Sequence, residues 1–205
     1  MPSTEQTSIT RSGGESDRQT DVALWWLVDR HARVCCVRTD PPETGVELDQ
    51  LNAFLDLQRA TMLLKCEGLT HEQFAQTHPP STLTLGGLLN HLALVEDSWF
   101  RVRFAGEPED ERWAGVDWDA DPDYEFRTAA DDEPDELRRR YEEACARSRA
   151  IVASADGLGQ LSAQPRGNGG HFDLRWVMLH LIEETARHTG HADLIRESID
   201  GVTGE

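Results

Sequence analysis

The sequence predicts an all-α protein, a four-helix bundle of up-down-down-up topology, and three observations carry that prediction. Apolar residues recur every three or four positions within Glu47 to Glu67, Leu85 to Gly106, Asp135 to Ser154 and His171 to Gly201, the periodicity of helices that bury one face. No stretch alternates apolar and polar residues with the period of two that a half-buried strand requires. Residues 107–133, between the second and third helical stretches, form a long crossover, and such a connection lets the two middle helices run parallel.

With 205 residues, 38% of them hydrophobic, the chain can build one domain with a full core. Its formal charge of -18, spread along the sequence, argues against nucleic acid and anionic membrane surfaces as partners. Lys65 is the one lysine among 20 basic residues, an arginine bias that points to a GC-rich bacterial source. The four cysteines, Cys35, Cys36, Cys66 and Cys145, make neither a CxxC pair nor a disulfide framework, so a reducing compartment is expected. No stretch approaches the ~18 consecutive apolar residues of a membrane span, and no basic segment followed by an apolar one opens the chain. The expected location is the cytoplasm.

Residues 1–20 are polar and rich in Ser, Thr and Gly, a composition that predicts disorder. Asp21 to Arg38 can form a short amphipathic helix carrying Trp25 and Trp26 and a surface His31, which Thr39-Asp40-Pro41-Pro42 then stops. The chain therefore divides into an N-terminal extension, 1–38, and a helical domain, 39–205. The first bundle helix places Leu48, Leu51, Phe54 or Leu55, Gln58, Met62 and Lys65 inward, with Gly68 as its cap. Thr70 and Gln73 make a capping-box pattern that opens a helical turn ended by Pro79-Pro80, with His71 and His78 solvated.

Thr84 caps the second helix, whose inward stripe is Leu85, Leu88, Leu92, Val95 and Trp99 and which Gly106 terminates. On this wheel His91 is an ordinary half-buried histidine, and a buried arginine would account for Glu96. The crossover is dense in carboxylates and pinned by Trp113, Trp118, Tyr124 and Phe126. Asp117, Asp119 and Asp121 lack the glycine and terminal glutamate of a calcium loop. In the third helix Leu137, Tyr141, Ala144, Ser148 and Ile151 face inward and Arg138 to Arg140 are solvated, while Gly167 to Gly170 form a turn that cradles no phosphate.

The last helix holds residues that an apolar stripe should not contain. His188 falls within the stripe of Leu174, Val177, Leu181, Thr185, Ala192 and Ile195, and Glu184 lies at its edge one turn earlier. A core-facing carboxylate is costly unless it is paired, hydrogen-bonded or bound to a metal. His180 and His191 stand on the shoulder, so periodicity favours Glu184 with His188 as the inward pair.

NHLALVEDSWFRVRFAGE in the second helix and LRWVMLHLIEETARHTGHADLIRE in the last resemble the DinB-like superfamily, in the branch that includes the metal-binding domain of mycothiol-dependent maleylpyruvate isomerase. The resemblance covers roughly residues 39–205. It implies a divalent metal, zinc or nickel, held by His91, Glu184 and His188, with His191 and His180 as outer groups. It implies a low-molecular-weight bacterial thiol as cosubstrate, hence a metal- and thiol-dependent S-transferase acting on a small-molecule electrophile in detoxification or stress response, and leaves a homodimer open. A thiol so bound has its pKa lowered and becomes the nucleophile. The sequence assigns no catalytic residue. Two other readings remain: a non-catalytic bundle that binds metal or a partner in a stress response, and a metal-free core network of the same three side chains. Residues 1–36 fall outside the resemblance, which suggests an over-extended reading frame with the start at Val37.

Overall fold

In the computed structural model, which describes residues 38–203, the first helix, α1, spans Glu47–Lys65. The predicted disorder of residues 1–20 and the predicted Trp25/Trp26 helix lie outside the described residues. After α1 come the single turn α2 (His71–Phe74), then α3 (Leu85–Glu96), which continues as a π-helical segment, Asp97–Phe104. The crossover carries α4 (Tyr124–Thr128) and a 3-10 turn (Ala129–Asp131), followed by α5 (Pro134–Ser154) and α6 (Leu174–Asp200). The described residues are all-α. Their extended pairing is limited to an isolated bridge between Leu161 and Asp173.

The helix ends follow local chemistry. Thr70 Oγ1 accepts from the Gln73 amide at 3.3 Å and Gln73 Oε1 accepts from the Thr70 amide at 2.9 Å, the predicted capping box. Thr84 Oγ1 accepts from the Gly87 amide at 3.0 Å. Helix α6 begins later than the sequence pattern suggests, at Leu174 instead of His171, because Asp173 Oδ1 caps the Trp176 amide at 2.8 Å. It ends where Gly201 turns left-handed, at φ 76°, a conformation that glycine adopts without strain.

Cross-helix bonds set the directions of neighbours. Asn90 meets Arg140 and Asp97 meets Arg147, so α5 runs with α3. Glu47 meets Arg175 and Lys65 meets Asp193, so α6 runs with α1. His91 meets Glu184 whereas Trp99 meets His180 and Trp176, so α3 and α6 run oppositely.

Two apolar clusters form the core. Met62, Leu88, Leu89, Leu92, Tyr141, Ala192 and Ile195 belong to one, and Leu55, Phe100, Phe104, Leu174, Val177 and Leu181 to the other. On α6, Glu184 and His188 fall in the gap between Leu181 and Ala192. Leu55, not Phe54, takes the inward position of α1, and Phe54 is exposed.

Three further predictions are corrected. The second helix does not stay α-helical to Gly106: beyond Glu96 it winds with the wider i→i+5 bonding of a π-helix, so Phe100 and Phe104 take the core positions and Trp99 turns to its edge. Arg140 is not solvated. It is 6% exposed, donating to Asn90 Oδ1 at 2.5 Å and to Asp132 Oδ2 at 2.8 Å. The inward position near the end of α5 goes to Val152, with Ile151 only half-buried.

Candidate metal centre

His91 projects from the middle of α3, and Glu184 and His188 project one turn apart from α6. Glu184 Oε1 lies 3.4 Å from His91 Nε2 and 3.3 Å from His188 Nε2, and one donor atom from each residue falls within 4.8 Å of the other two. The three side chains are 18%, 16% and 12% exposed, so each is mostly but not fully buried. Two imidazole nitrogens and one carboxylate oxygen suit zinc or nickel, and closing up by about an ångström or less would give the ~2.0–2.2 Å bonds of such a site. Three protein donors leave further positions free for water or substrate.

The crossover holds His91 from behind. Glu125 on α4, 4% exposed, places Oε1 2.9 Å from His91 Nδ1, and Phe126 stacks on the imidazole with ring centroids 4.7 Å apart. A carboxylate accepts only, and of the two that His91 meets Glu125 is the nearer, which favours the proton on Nδ1 and leaves Nε2, 3.4 Å from Glu184, as the nitrogen that would hold a metal. The backbone there is fixed in turn, as Asn90 Nδ2 donates to the Glu125 carbonyl at 2.7 Å while Arg140 holds the Asn90 amide. Glu125 was hidden in the sequence by the many solvated carboxylates of the crossover. Its one distinguishing mark is its place between Tyr124 and Phe126, aromatics that draw it inward.

His188 has a neighbour on each nitrogen, Glu184 at Nε2 and His191 Nδ1 at 3.4 Å from Nδ1. Burial, reinforced by His91, lowers its pKa from 6.5 to about 4, so it is neutral at physiological pH with both nitrogens committed to these partners. His191 therefore sits on the rim, as its wheel position permits. His180 does not join the group. It lies 4.5 Å, centroid to centroid, from Trp99 and stacks at 5.1 Å on Trp176, and burial among these rings lowers its pKa.

Neither cysteine of the described residues can supply a nucleophile. Cys66 and Cys145 are free and buried; burial pushes the Cys66 thiol up to about 12, and burial with the nearby Glu96 carboxylate raises that of Cys145 further.

The fold and this donor set define a class, a helical domain with two histidines and a glutamate meeting between two long helices. The sequence matches the mycothiol-S-transferase family, a DinB-like family, over residues 50–201, and the chain belongs to that family. No curated protein matches it. No helix of the described residues is long and apolar enough to cross a membrane.

Proposed function

We propose that the protein is a divalent-metal-dependent S-transferase that joins a low-molecular-weight thiol of the mycothiol type to a small electrophile, with His91, Glu184 and His188 holding the metal. The observation that supports this most strongly is the convergence of those three donors between α3 and α6, in a chain whose family is named for mycothiol transfer. We further propose that α1, α3, α5 and α6 form an up-down-down-up four-helix bundle, that the domain is 39–205, and that residues 1–38 are an appended extension.

The metal, zinc or nickel, would supply positive charge that lowers the pKa of the incoming thiol. The remaining work belongs to the chain. Glu125 keeps the proton of His91 on Nδ1 and so presents Nε2. With His188 Nε2 on a metal, that ring's proton would sit on Nδ1, 3.4 Å from His191 Nδ1 as its acceptor. Glu184 contributes one negative charge, and the apolar clusters on either side limit water at the reacting atoms. Cys66 and Cys145, the cysteines of the described residues, are buried and protonated, so neither stands in for a thiol from solution.

Purified protein, assayed with an electrophile such as a bimane or an activated nitroarene, is expected to turn over only when both mycothiol and metal are present. Conversion that continues without thiol, or survives chelation, would overturn the reading in favour of a non-catalytic bundle with an adventitious background reaction.

A further inference from the structure

One turn before Glu184 along α6, the same helix face changes from polar to aromatic. Trp176 and His180 project from it at i, i+4, and Trp99 from the π-helical segment and Phe172 from the loop before α6 pack on them. The centroid distances are 5.2 Å for Trp99–Trp176, 5.1 Å for Trp99–Phe172 and 4.4 Å for Phe172–Trp176. The cluster is not closed. Trp176 is 40% exposed and the His180 side chain 26% exposed.

Two guanidinium groups lean over it. Arg103 lies 4.7 Å above the Trp99 ring, and Arg166 lies 4.7 Å above Phe172 and 5.9 Å from Trp176. Most other described arginines are bound to carboxylates, as Arg59 is to Glu96, Arg147 to Asp97, Arg175 to Glu47 and Arg196 to Asp200. Arg103 and Arg166 make no ion pair and no side-chain hydrogen bond with any described residue. Their backbones are held together, since the Gln164 amide donates to the Arg103 carbonyl at 3.0 Å. In a chain of formal charge -18, two uncommitted cations side by side form a local exception to a field that repels anions.

We propose that this cluster is the recognition shelf for the electrophile, and that the substrate class is a flat, conjugated molecule bearing a carboxylate. A planar ring would pack on the exposed part of Trp176, and a carboxylate would be taken by the guanidinium forks of Arg103 and Arg166. His180 is one helical turn from Glu184, about 6 Å along the axis, so a molecule of one ring's length reaches from the shelf to the three donors. The catalytic meaning of the shelf rests on the transferase reading; its binding preference does not.

The test is isothermal titration of the metal-free full-length chain with 4-nitrobenzoate and, separately, with 4-nitrobenzamide, which has the same ring without the charge. The acid is expected to bind at least about tenfold more tightly, a difference of ~1.4 kcal/mol. In the exposed double variant Arg103→Gln/Arg166→Gln that preference should vanish with no change in melting temperature or in metal uptake, and Arg103→Lys/Arg166→Lys should recover part of it. Trp176→Ala should weaken both ligands alike. Equal binding of acid and amide, a preference that survives the glutamine variant, or displacement of the acid by methyl glucoside would each overturn the proposal. His188→Ala separates the two readings: the shelf's preference should persist in it while metal is lost. A protein with the preference but no thiol-transfer activity refutes the transferase reading alone, and active protein without the preference refutes the shelf alone.

Discussion

Glu96 and Glu184 both stand on core-facing positions of the long helices, and their surroundings could hardly differ more. Glu96, 1% exposed, has both oxygens taken by the fork of Arg59, at 2.7 and 2.6 Å. Glu184 is 16% exposed, shares Oε1 between two imidazoles at 3.4 and 3.3 Å, and offers Oε2 only a 3.5 Å contact from Arg187. The first carboxylate is saturated and dry, which makes it a structural cross-link between α1 and α3. The second is underbonded and partly exposed, with two imidazoles where the first has a permanent cation. Both stand on inward faces, and the completeness of the bonds, together with burial, is what sets the two carboxylates apart.

The largest effect expected from this contrast is on metal. His91→Ala, Glu184→Ala and His188→Ala should each abolish tight binding of zinc or nickel, while His180→Ala and His191→Ala stay near the wild-type level, as read by elemental analysis after dialysis. Stoichiometric metal in Glu184→Ala would erase the distinction between the two glutamates. Next in size is stability. Arg59→Ala leaves Glu96 buried and unpaired and should cost about 3–5 kcal/mol in denaturant unfolding of the metal-free chain, whereas Glu184→Ala should change it by ~1 kcal/mol or less. A smaller effect is expected behind the site, where Glu125→Gln removes the charge that orders His91 and should weaken metal affinity roughly 10- to 100-fold with little change in fold, measured by competition with a chromophoric chelator.

The last effect is on pH. His188 has a folded-state pKa of about 4 against an ordinary 6.5, so between those values the unfolded chain binds the extra proton. Its contribution to stability is full above pH 6.5 and declines as pH falls through that window. Metal-free protein should therefore lose stability between pH 6.5 and 4, and His188→Ala should flatten that part of the profile in denaturant titrations. An unchanged slope would mean that burial does not keep His188 neutral.

Much of this was legible in the sequence, for a definable reason. Periodicity reports which residues share a face, so the four long helices, the Thr70 and Thr84 caps and the inward pairing of Glu184 with His188 could all be read from the chain. His91 could not be read that way, since its wheel position is that of an ordinary half-buried histidine, and only its likeness to a known pattern singled it out. Contacts made at long sequence separation were hidden. Glu125 lies 34 residues from His91, in an acidic crossover without periodicity. Arg140 looked like one member of a solvated basic run, because its partners Asn90 and Asp132 belong to other elements. The π-helical segment was missed because its apolar residues still fit an α-helical wheel tolerably well, and the winding shows only in the bonding.

That segment has a consequence for how the chain tolerates changes of length. A π turn accommodates more residues than an α turn, and here the wider winding lies beyond His91, within Asp97–Phe104, the segment that carries Trp99. Deleting a single residue between Asp97 and Trp99 would restore regular winding and swing everything beyond it by roughly 100° about the axis, exchanging Trp99 for a neighbour at the aromatic end while leaving His91 where it is. Gly106, whose φ is 73° and where a Cβ would come within 2.8 Å of the Ala163 Cβ, anchors the far end against such a rotation. An inherited insertion or deletion in this short stretch would thus re-specify what the protein recognises without touching what it holds, and homologues that differ in length here should differ in preferred substrate sooner than in metal.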